Sequence, residues 1–588
     1  MTTRATRGPR RRTVVALAVI LAVLGAFVVR LVDIQVVSAD EHVTDSLVHI
    51  GKANTIAGQR GSVTDANGVV LASSVLVYDA QLSPLVIRTL EDKDPKVPWT
   101  EASDQIAAIT GQTGDEVRAL VADALAKDEN SQYAPLAKSL DTEQYIALRD
   151  LDLAYLHFES REVRVYPNGA VAGNVVGFLD GSGTAQAGVE KMEQSCLAPV
   201  NGEQTYRTGK DGVVIPGSER VVDAVNGGSV QLTINSDLNW YLQQMIAEEA
   251  QKQGAKGGTV TVVEVKTGKI RAAAEWPSLD PNDLSTITGD GWGSEIFHHD
   301  FEPGSTFKAI TAAAAMEGAG LTPLSTVSAS SREKFPNGAV INDAFTHPAY
   351  NYTLAGGLID SSNVALSKFG TMVSPDVRYD YLQRFGVGKK TIDIPSEVGG
   401  TLHPVSEWDN QSLYTTTFGQ YFTVTAAQVA GAYQAIANGG EKIDLSLIES
   451  CTKADGTVVA ADKPEHTQII KEQTAADLTR MLENVAVQGG NAERIQVPGY
   501  RVTSKTGTAQ VPDGNGGYKA GVYYTSMVGF APVDDPQYVV VVTLDEPTKV
   551  VSSAATASAF QKAMTQVMKT YRVMPSSVPM DALLPKFE

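Results

Sequence analysis

Three short motifs stand in a fixed order along the chain: Ser305-Thr306-Phe307-Lys308, Ser361-Ser362-Asn363 and Lys505-Thr506-Gly507-Thr508. The first sets a hydroxyl and an amine one helical turn apart, so that an uncharged lysine can activate a serine. The second adds a hydroxyl and an amide that can relay a proton. The third puts a cation and two hydroxyls on a strand, a grip for a carboxylate. Together they equip the chain for covalent acyl transfer through a serine without a catalytic histidine. The candidate catalytic residues are Ser305, Lys308, Ser361, Asn363 and Lys505, with Thr506, Gly507 and Thr508 binding substrate. The backbone N–H groups of Ser305 and Thr508 are the candidate oxyanion donors, the former at a helix amino end.

Context separates these motifs from their copies. Ser-x-x-Lys recurs at Ser331/Lys334 and Ser450/Lys453, and Lys-Thr-Gly at Lys266. After Ser305 the alanine-rich run to Met316 favours a buried helix, and Pro303-Gly304 marks an abrupt entry to it. Ser331 runs into Phe335-Pro336-Asn337-Gly338, which breaks a helix, and Ser450 into the turn Ala454-Asp455-Gly456-Thr457. Lys266 reads as a hairpin turn. Lys505 instead follows a strand, Tyr500 to Ser504, and continues into Thr508-Ala509, where alternate side chains can line a site. Lys308 is a base only when neutral, and burial beside a positive Lys505 would push its pKa down.

The elements that carry these motifs begin with an amino end of five arginines (Arg4, Arg7, Arg10, Arg11, Arg12) before an apolar run, Thr13 to Val29, closed by Arg30. With Leu31 to Val37 included, the run is long enough to span a membrane. The basic flank predicts a cytoplasmic amino terminus and an external body. The alternative is a signal peptide cut at Val37-Ser38-Ala39, but the apolar run is longer than a signal core. The 588 residues predict two or three domains. A net charge of −19, from 48 basic and 67 acidic residues, with no basic stripe, argues against a nucleic-acid partner. Cys196 and Cys451 read as free thiols in different domains; an external compartment would permit a bridge, but nothing local pairs them. The histidines lack metal-ligand spacing, so no metal or other cofactor is expected.

Asn67-Gly68 between apolar runs predicts a hairpin within Ile56 to Ser74, and residues 100–151 read as helical. Loops follow around Arg164 to Gly169 and Gly177 to Gly188. A strand over Val230 to Ile234, a helix over Leu238 to Lys252 and a hairpin of Gly258 to Val265 with Lys269 to Ala274 come next. Helical patterns fill much of residues 307–440. Strands resume at Tyr500 to Lys505, Ser526 to Ala531 and Tyr538 to Leu544, before a helix over Ala554 to Tyr571 and a loose tail, Arg572 to Glu588. That order predicts an α+β fold, an antiparallel sheet flanked by helices.

The ordered trio resembles class B penicillin-binding proteins, the monofunctional membrane-anchored D,D-transpeptidases of peptidoglycan synthesis. The resemblance extends along the chain. It takes in Arg60-Gly61 with Asp65, Asn67-Gly68 and Leu71-Ala72, then Arg164, Tyr166-Pro167 and Gly188-Val189-Glu190, then Glu302 to Lys308. It implies a cytoplasmic basic tail (1–12), a transmembrane anchor (13–37), an elongated β-rich pedestal (38–225), a serine transpeptidase domain (226–572) and a terminal tail (573–588). It also implies that Ser305 is acylated by peptidoglycan stem peptides, and by β-lactams as inhibitors. The partners implied are lipid-linked nascent glycan, a SEDS-family glycosyltransferase and other divisome or elongation membrane proteins. Division is favoured over lateral growth as the place of action. The rival readings are a β-lactam-sensing or hydrolysing acyl-enzyme and a non-catalytic divisome scaffold. One departure is Tyr421-Phe422 after Gly419-Gln420, where similar proteins usually carry Gly and a small aliphatic residue; this puts substrate or β-lactam fit in question.

Overall fold

The computed structural model describes residues 8–33, 52–91, 97–207, 217–286, 293–514 and 517–588. Gly8–Val32 is a single helix whose segment Thr13–Val32 is long and apolar enough to cross a membrane. Residues 34–37 of the expected anchor lie outside the described residues. The chain divides into two compact units, one of Met1–Gln59 with Pro199–Gly227 and one of Arg60–Ala198 with Gly228–Glu588. Apart from its helix, the first holds a three-stranded antiparallel sheet of Lys52–Ile56, Gly202–Tyr206 and Arg220–Val222.

The second unit is built on two larger sheets. One has five antiparallel strands: β1 (Gly257–Glu264), β2 (Ile270–Trp276), β3 (Lys505–Pro512), β4 (Tyr518–Ala531) and β5 (Tyr538–Asp545), in the order β2-β1-β5-β4-β3. The middle strands β1 and β5 are buried almost throughout, as apolar runs covered on both faces must be. The period of two sorts their side chains between the faces. Val260, Val262, Val540 and Val542 pack with Leu242, Phe560 and Met564 of the helices Ser236–Gln253 and Ala554–Thr570. Val263, Val539 and Val541 belong to the opposite core with Ala309, Ala313 and Tyr433 of the helices Lys308–Ala319 and Ala426–Ala437. The sheet ends in β2 on one side and β3 on the other, and the β3 edge carries Lys505 to Thr508.

The other sheet joins early and late parts of the chain: Val458–Ala460, Ile448–Thr452, Ser229–Leu232, Val63–Thr64, Val70–Leu82 and Ala134–Leu140, with Leu156–Val165 also paired to Val70–Leu82. The predicted Asn67-Gly68 turn is present, with Gly68 at φ 84°. Asp65 takes the N–H groups of Asn67 and Val69 on one oxygen, and the N–H and hydroxyl of Ser236 on the other. Nearby, Arg60 Nε donates to Glu190 Oε2 at 2.8 Å and Arg164 Nε to Glu190 Oε1 at 2.7 Å, with Glu190 fully buried.

Four expectations are corrected. Cys196 and Cys451 are not free thiols but form a disulfide, because Cys451 stands opposite Val230 in the second sheet while Cys196 O accepts the N–H of Gly228. The helical reading of residues 100–151 fails at Ala134–Leu140, a strand paired with Val70–Leu82, since Pro135 bars a helix interior there. The strand expected to end at Lys505 begins there instead. The terminal tail is not loose: Thr353 donates its N–H to Lys586 O and its hydroxyl to Pro585 O, and Leu584 is 3% exposed. Apolar Leu584 and the Lys586–Asp360 ion pair at 2.7 Å fix the chain end against the segment leading to Ser361.

Removing one partner of a buried ion triad strands the others without solvent. Glu190→Ala is therefore expected to lower unfolding stability by about 3–5 kcal/mol, read from denaturant melts of the full chain. A loss under 1 kcal/mol would contradict the role given to this triad.

Candidate functional site

Ser305 sits in a 3₁₀ turn, Gly304–Phe307, that runs directly into the helix starting at Lys308. A 3₁₀ turn aligns residues i and i+3, and Lys308 N–H closes it onto Ser305 O. The turn is held rigidly: Thr306 Oγ1 donates to Pro303 O at 2.8 Å and the Tyr433 hydroxyl to Thr306 O at 2.8 Å. Every residue from 301 to 310 is buried except Ser305, which is half-buried. The one open position in the segment is therefore the nucleophile candidate.

Lys308 and Lys505 have no exposed surface. Their amines converge on one hydroxyl, with Lys308 Nζ 3.2 Å and Lys505 Nζ 2.9 Å from Ser361 Oγ. Lys308 Nζ also donates to Ser361 O at 2.5 Å, and Lys505 Nζ to Thr506 O at 3.4 Å. Burial, then the nearby charge of Lys505, hold Lys308 well below the usual lysine range, with Asp343 opposing. Burial alone brings Lys505 down to about 7. Ser361 is in the left-handed region at φ 56°, a strained place for a non-glycine residue and one met mostly at functional sites.

The structure brings Lys308, Ser361 and Lys505 together. Asn363 lies differently: among the described residues it is bonded to Asn342 O, at 2.9 Å, and not to Lys308. It lines a polar cavity of about 520 Å³ with Gln420, Tyr421, Gln510 and Tyr518. The strand β3 comes close to the serine turn because Gly507 has no side chain. A Cβ there would lie 2.9 Å from Pro303 O and 2.3 Å from Ser526 Oγ. Thr508 Oγ1 accepts the N–H of Ser553 at 3.0 Å, which leaves its own proton to donate.

A model of the penicillin binding protein transpeptidase domain matches residues 258–568, and one of the penicillin-binding protein dimerisation domain matches residues 55–232. Penicillin-binding protein PbpB of Mycolicibacterium smegmatis is 32% identical over 567 residues, covering 92% of this chain and 87% of its own. The chain belongs to the penicillin-binding proteins. Another relative of this penicillin-binding protein is peptidoglycan D,D-transpeptidase FtsI of Escherichia coli, 26% identical over 562 residues, covering 95% of this chain and 92% of the relative. Penicillin binding protein 3 of Mycobacterium tuberculosis, solved in complex with aztreonam, superposes with a TM-score of 0.69 at 25% identity, covering 90% of this chain and 100% of that one.

Two parts of this penicillin-binding protein's site were not singled out from its sequence. Asp343 accepts the Ser362 hydroxyl at 2.7 Å and the Val364 N–H at 3.0 Å, fixing the start of the helix Asn363–Gly370. Buried Glu302, three residues before Ser305, accepts the Tyr421 N–H at 2.8 Å and the Tyr518 hydroxyl at 3.0 Å. In the sequence Glu302 stands out only as part of the run to Lys308, and nothing local marks Asp343. Tyr421, flagged as a departure, takes φ 69° in the glycine-favouring region. Its hydroxyl donates to Glu407 O at 3.0 Å and its ring lies 4.7 Å from that of His403, so the strained backbone is held from both ends.

Two outcomes follow from this geometry. A carboxylate binding at Lys505 favours the ammonium form, so above pH about 7 binding takes up a proton and affinity falls as pH rises. Calorimetry of a carboxylate-bearing penicillin with the Ser305→Ala chain, in buffers of different ionisation heat at pH 8, reads that uptake; zero uptake would refute it. Gly507→Ala pushes β3 off the serine turn, and a misplacement near 1 Å is expected to slow acylation by about 10²-fold with little loss of fold.

Proposed function

We propose that this protein is a membrane-anchored peptidoglycan D,D-transpeptidase in which Ser305 forms the acyl-enzyme. The observation that carries the reading is the convergence of two buried lysines on Ser361 Oγ, with Ser305 the one position of its segment that is not fully buried. Ser305 Oγ attacks the carbonyl carbon between the two terminal D-alanines of a stem peptide, and its proton passes to neutral Lys308. The N–H groups of Ser305 and Thr508 hold the oxyanion, a donor of this kind being worth about 3–4 kcal/mol of barrier. As the C–N bond breaks, the proton moves from Lys308 through Ser361 to the departing D-alanine nitrogen. An amine from a neighbouring stem then takes the acyl group by the reverse proton path, closing the cross-link.

Lys505, Thr506 and Thr508 hold the stem's terminal carboxylate by charge and hydroxyl donors, with Gly507 permitting the close approach of their strand. Asn363, facing the polar cavity, binds substrate amide. No metal or other cofactor has a part in this scheme. β-Lactams carry a strained amide beside a carboxylate and acylate Ser305 in the same way. The basic amino end before the apolar helix favours a cytoplasmic amino terminus and an external catalytic domain at the plasma membrane. The resemblance favours cell-wall synthesis at division, on lipid-linked nascent glycan, beside a SEDS-family glycosyltransferase. Co-purification from membranes tests that partnership, and its absence there would count against it.

Intact-mass measurement after penicillin exposure, with peptide mapping, tests the chemistry. One adduct on Ser305 that persists, and none in Ser305→Ala, is the expected result. Modification elsewhere would refute the assignment, and rapid turnover of the penicillin would make the protein a hydrolase.

A further inference from the structure

Beneath Ser361 to Asn363 lies an ionisable pair that the scheme above leaves unused. The side chains of Asp343 and His347 are 1% and 3% exposed, and His347 Nε2 is 2.9 Å from Asp343 Oδ2. The ring's other nitrogen, Nδ1, is 2.7 Å from Pro348 O. A carbonyl oxygen can only accept, so Nδ1 carries a proton. The contact between Nε2 and Oδ2 needs a second proton, on the ring or on the carboxyl group. The Ser362 hydroxyl and Val364 N–H, both donors to Asp343, cannot replace it. In either arrangement the pair has no net charge.

We propose that Asp343 and His347 form a proton-sharing, net-neutral pair that positions Ser361 to Asn363 and keeps an unbalanced carboxylate away from Lys308. Both are positioning residues, and the inference rests on the roles given above to Ser305 and Lys308. An unbalanced Asp343 would favour the ammonium form of Lys308, the form that cannot act as base. Among the described residues, the rings packed on His347 bring it no other counter-charge. Tyr350 stacks parallel to its ring at 5.4 Å, Tyr352 meets it edge-on at 5.6 Å and Phe345 lies at 5.2 Å. Phe587 packs against both tyrosines. The next charges, Asp360 and Lys586, already pair at 2.7 Å, with the Tyr352 hydroxyl on Asp360 at 3.4 Å. Buried Lys308 and Lys505 complete the set.

The test is the pH profile of acylation of the full chain in detergent by a fluorescent penicillin. The rate rises with pH as Lys308 becomes neutral. His347→Gln keeps an N–H donor for Asp343 but cannot hold the shared proton, and so leaves the carboxylate unbalanced. Its acid limb is expected to move up by about one pH unit, an approximately tenfold loss on the acid side. Asp343→Asn leaves an uncharged pair and is expected to leave the limb near the wild-type position, and the double variant to bring the limb of His347→Gln back toward it. A purely structural pair would lower the plateau without moving the limb, and an unmoved limb in His347→Gln would overturn the proposal. Should the variants fold poorly, ring ¹⁵N and carboxyl ¹³C spectra of labelled wild-type protein decide: a second proton on Nε2 or on the Asp343 carboxyl group near neutral pH supports the pair, and a neutral ring beside an ionised carboxylate overturns it. A wild-type chain not acylated at Ser305 overturns the assignment beneath the proposal, and these spectra then still report on the pair alone.

Discussion

Two amines that share one hydroxyl inside a protein cannot both be charged at ease. Lys308 and Lys505 reach the same Ser361 oxygen with no exposed surface between them, and without solvent each ammonium raises the cost of the other. The site settles this conflict in one direction. Burial and the facing charge of Lys505 favour the neutral form of Lys308, the form that can accept a proton from a serine. Lys505, with Thr506 O as a second acceptor and an open strand edge beside it, stays close enough to its titration point for an incoming carboxylate to restore its charge. In the proposed scheme the base and the carboxylate grip are therefore one coupled device, with Ser361 between them.

The fold serves that device through rigidity. Ser305 and Lys308 are aligned by a 3₁₀ turn whose two buried carbonyls, of Pro303 and Thr306, are each tied to a side chain. Lys505 arrives on the edge strand of a sheet whose centre is covered on both faces, so its register against β4 is strongly specified. Ser361 arrives between two helices, with Asp343 below and the docked chain end behind. Strain at Ser361 and Tyr421, of order 1–3 kcal/mol each, persists because hydrogen bonds on either side leave no relaxed alternative.

How much of this was legible in the residues follows from how local each signal is. The helix after Ser305, the hairpin at Asn67-Gly68 and the apolar strands β1, β4 and β5 each declare themselves within a dozen residues. The meeting of Lys505 with Ser361 does not, because 144 residues separate them and only the ordered trio hinted at it. The disulfide joins residues 255 apart through a sheet of strands from both ends of the chain, a pairing no periodicity encodes. Pro135 did signal that the helical reading should stop, and Leu584 and Phe587 that the tail had something to bury. Asp343 and His347 were invisible for another reason: each is ordinary alone, and only their burial together gives them meaning.

The chain end shows how distant segments bear on the chemistry. The Thr353 hydroxyl caps the helix Leu354–Ile359 through the Gly356 N–H, and donates in turn to Pro585 O. Gly356 passes so close to Lys586 that a Cβ there would lie 1.9 Å from its carbonyl oxygen. Two residues past that helix stands Ser361 in its left-handed conformation. A helix of six residues has little stability of its own, so its angle, and hence the position of Ser361, is set by what packs against it. The last residues of the chain thus form part of the wall behind Ser361, and a segment with the composition of a tail is held there by backbone, side-chain and ionic contacts at once.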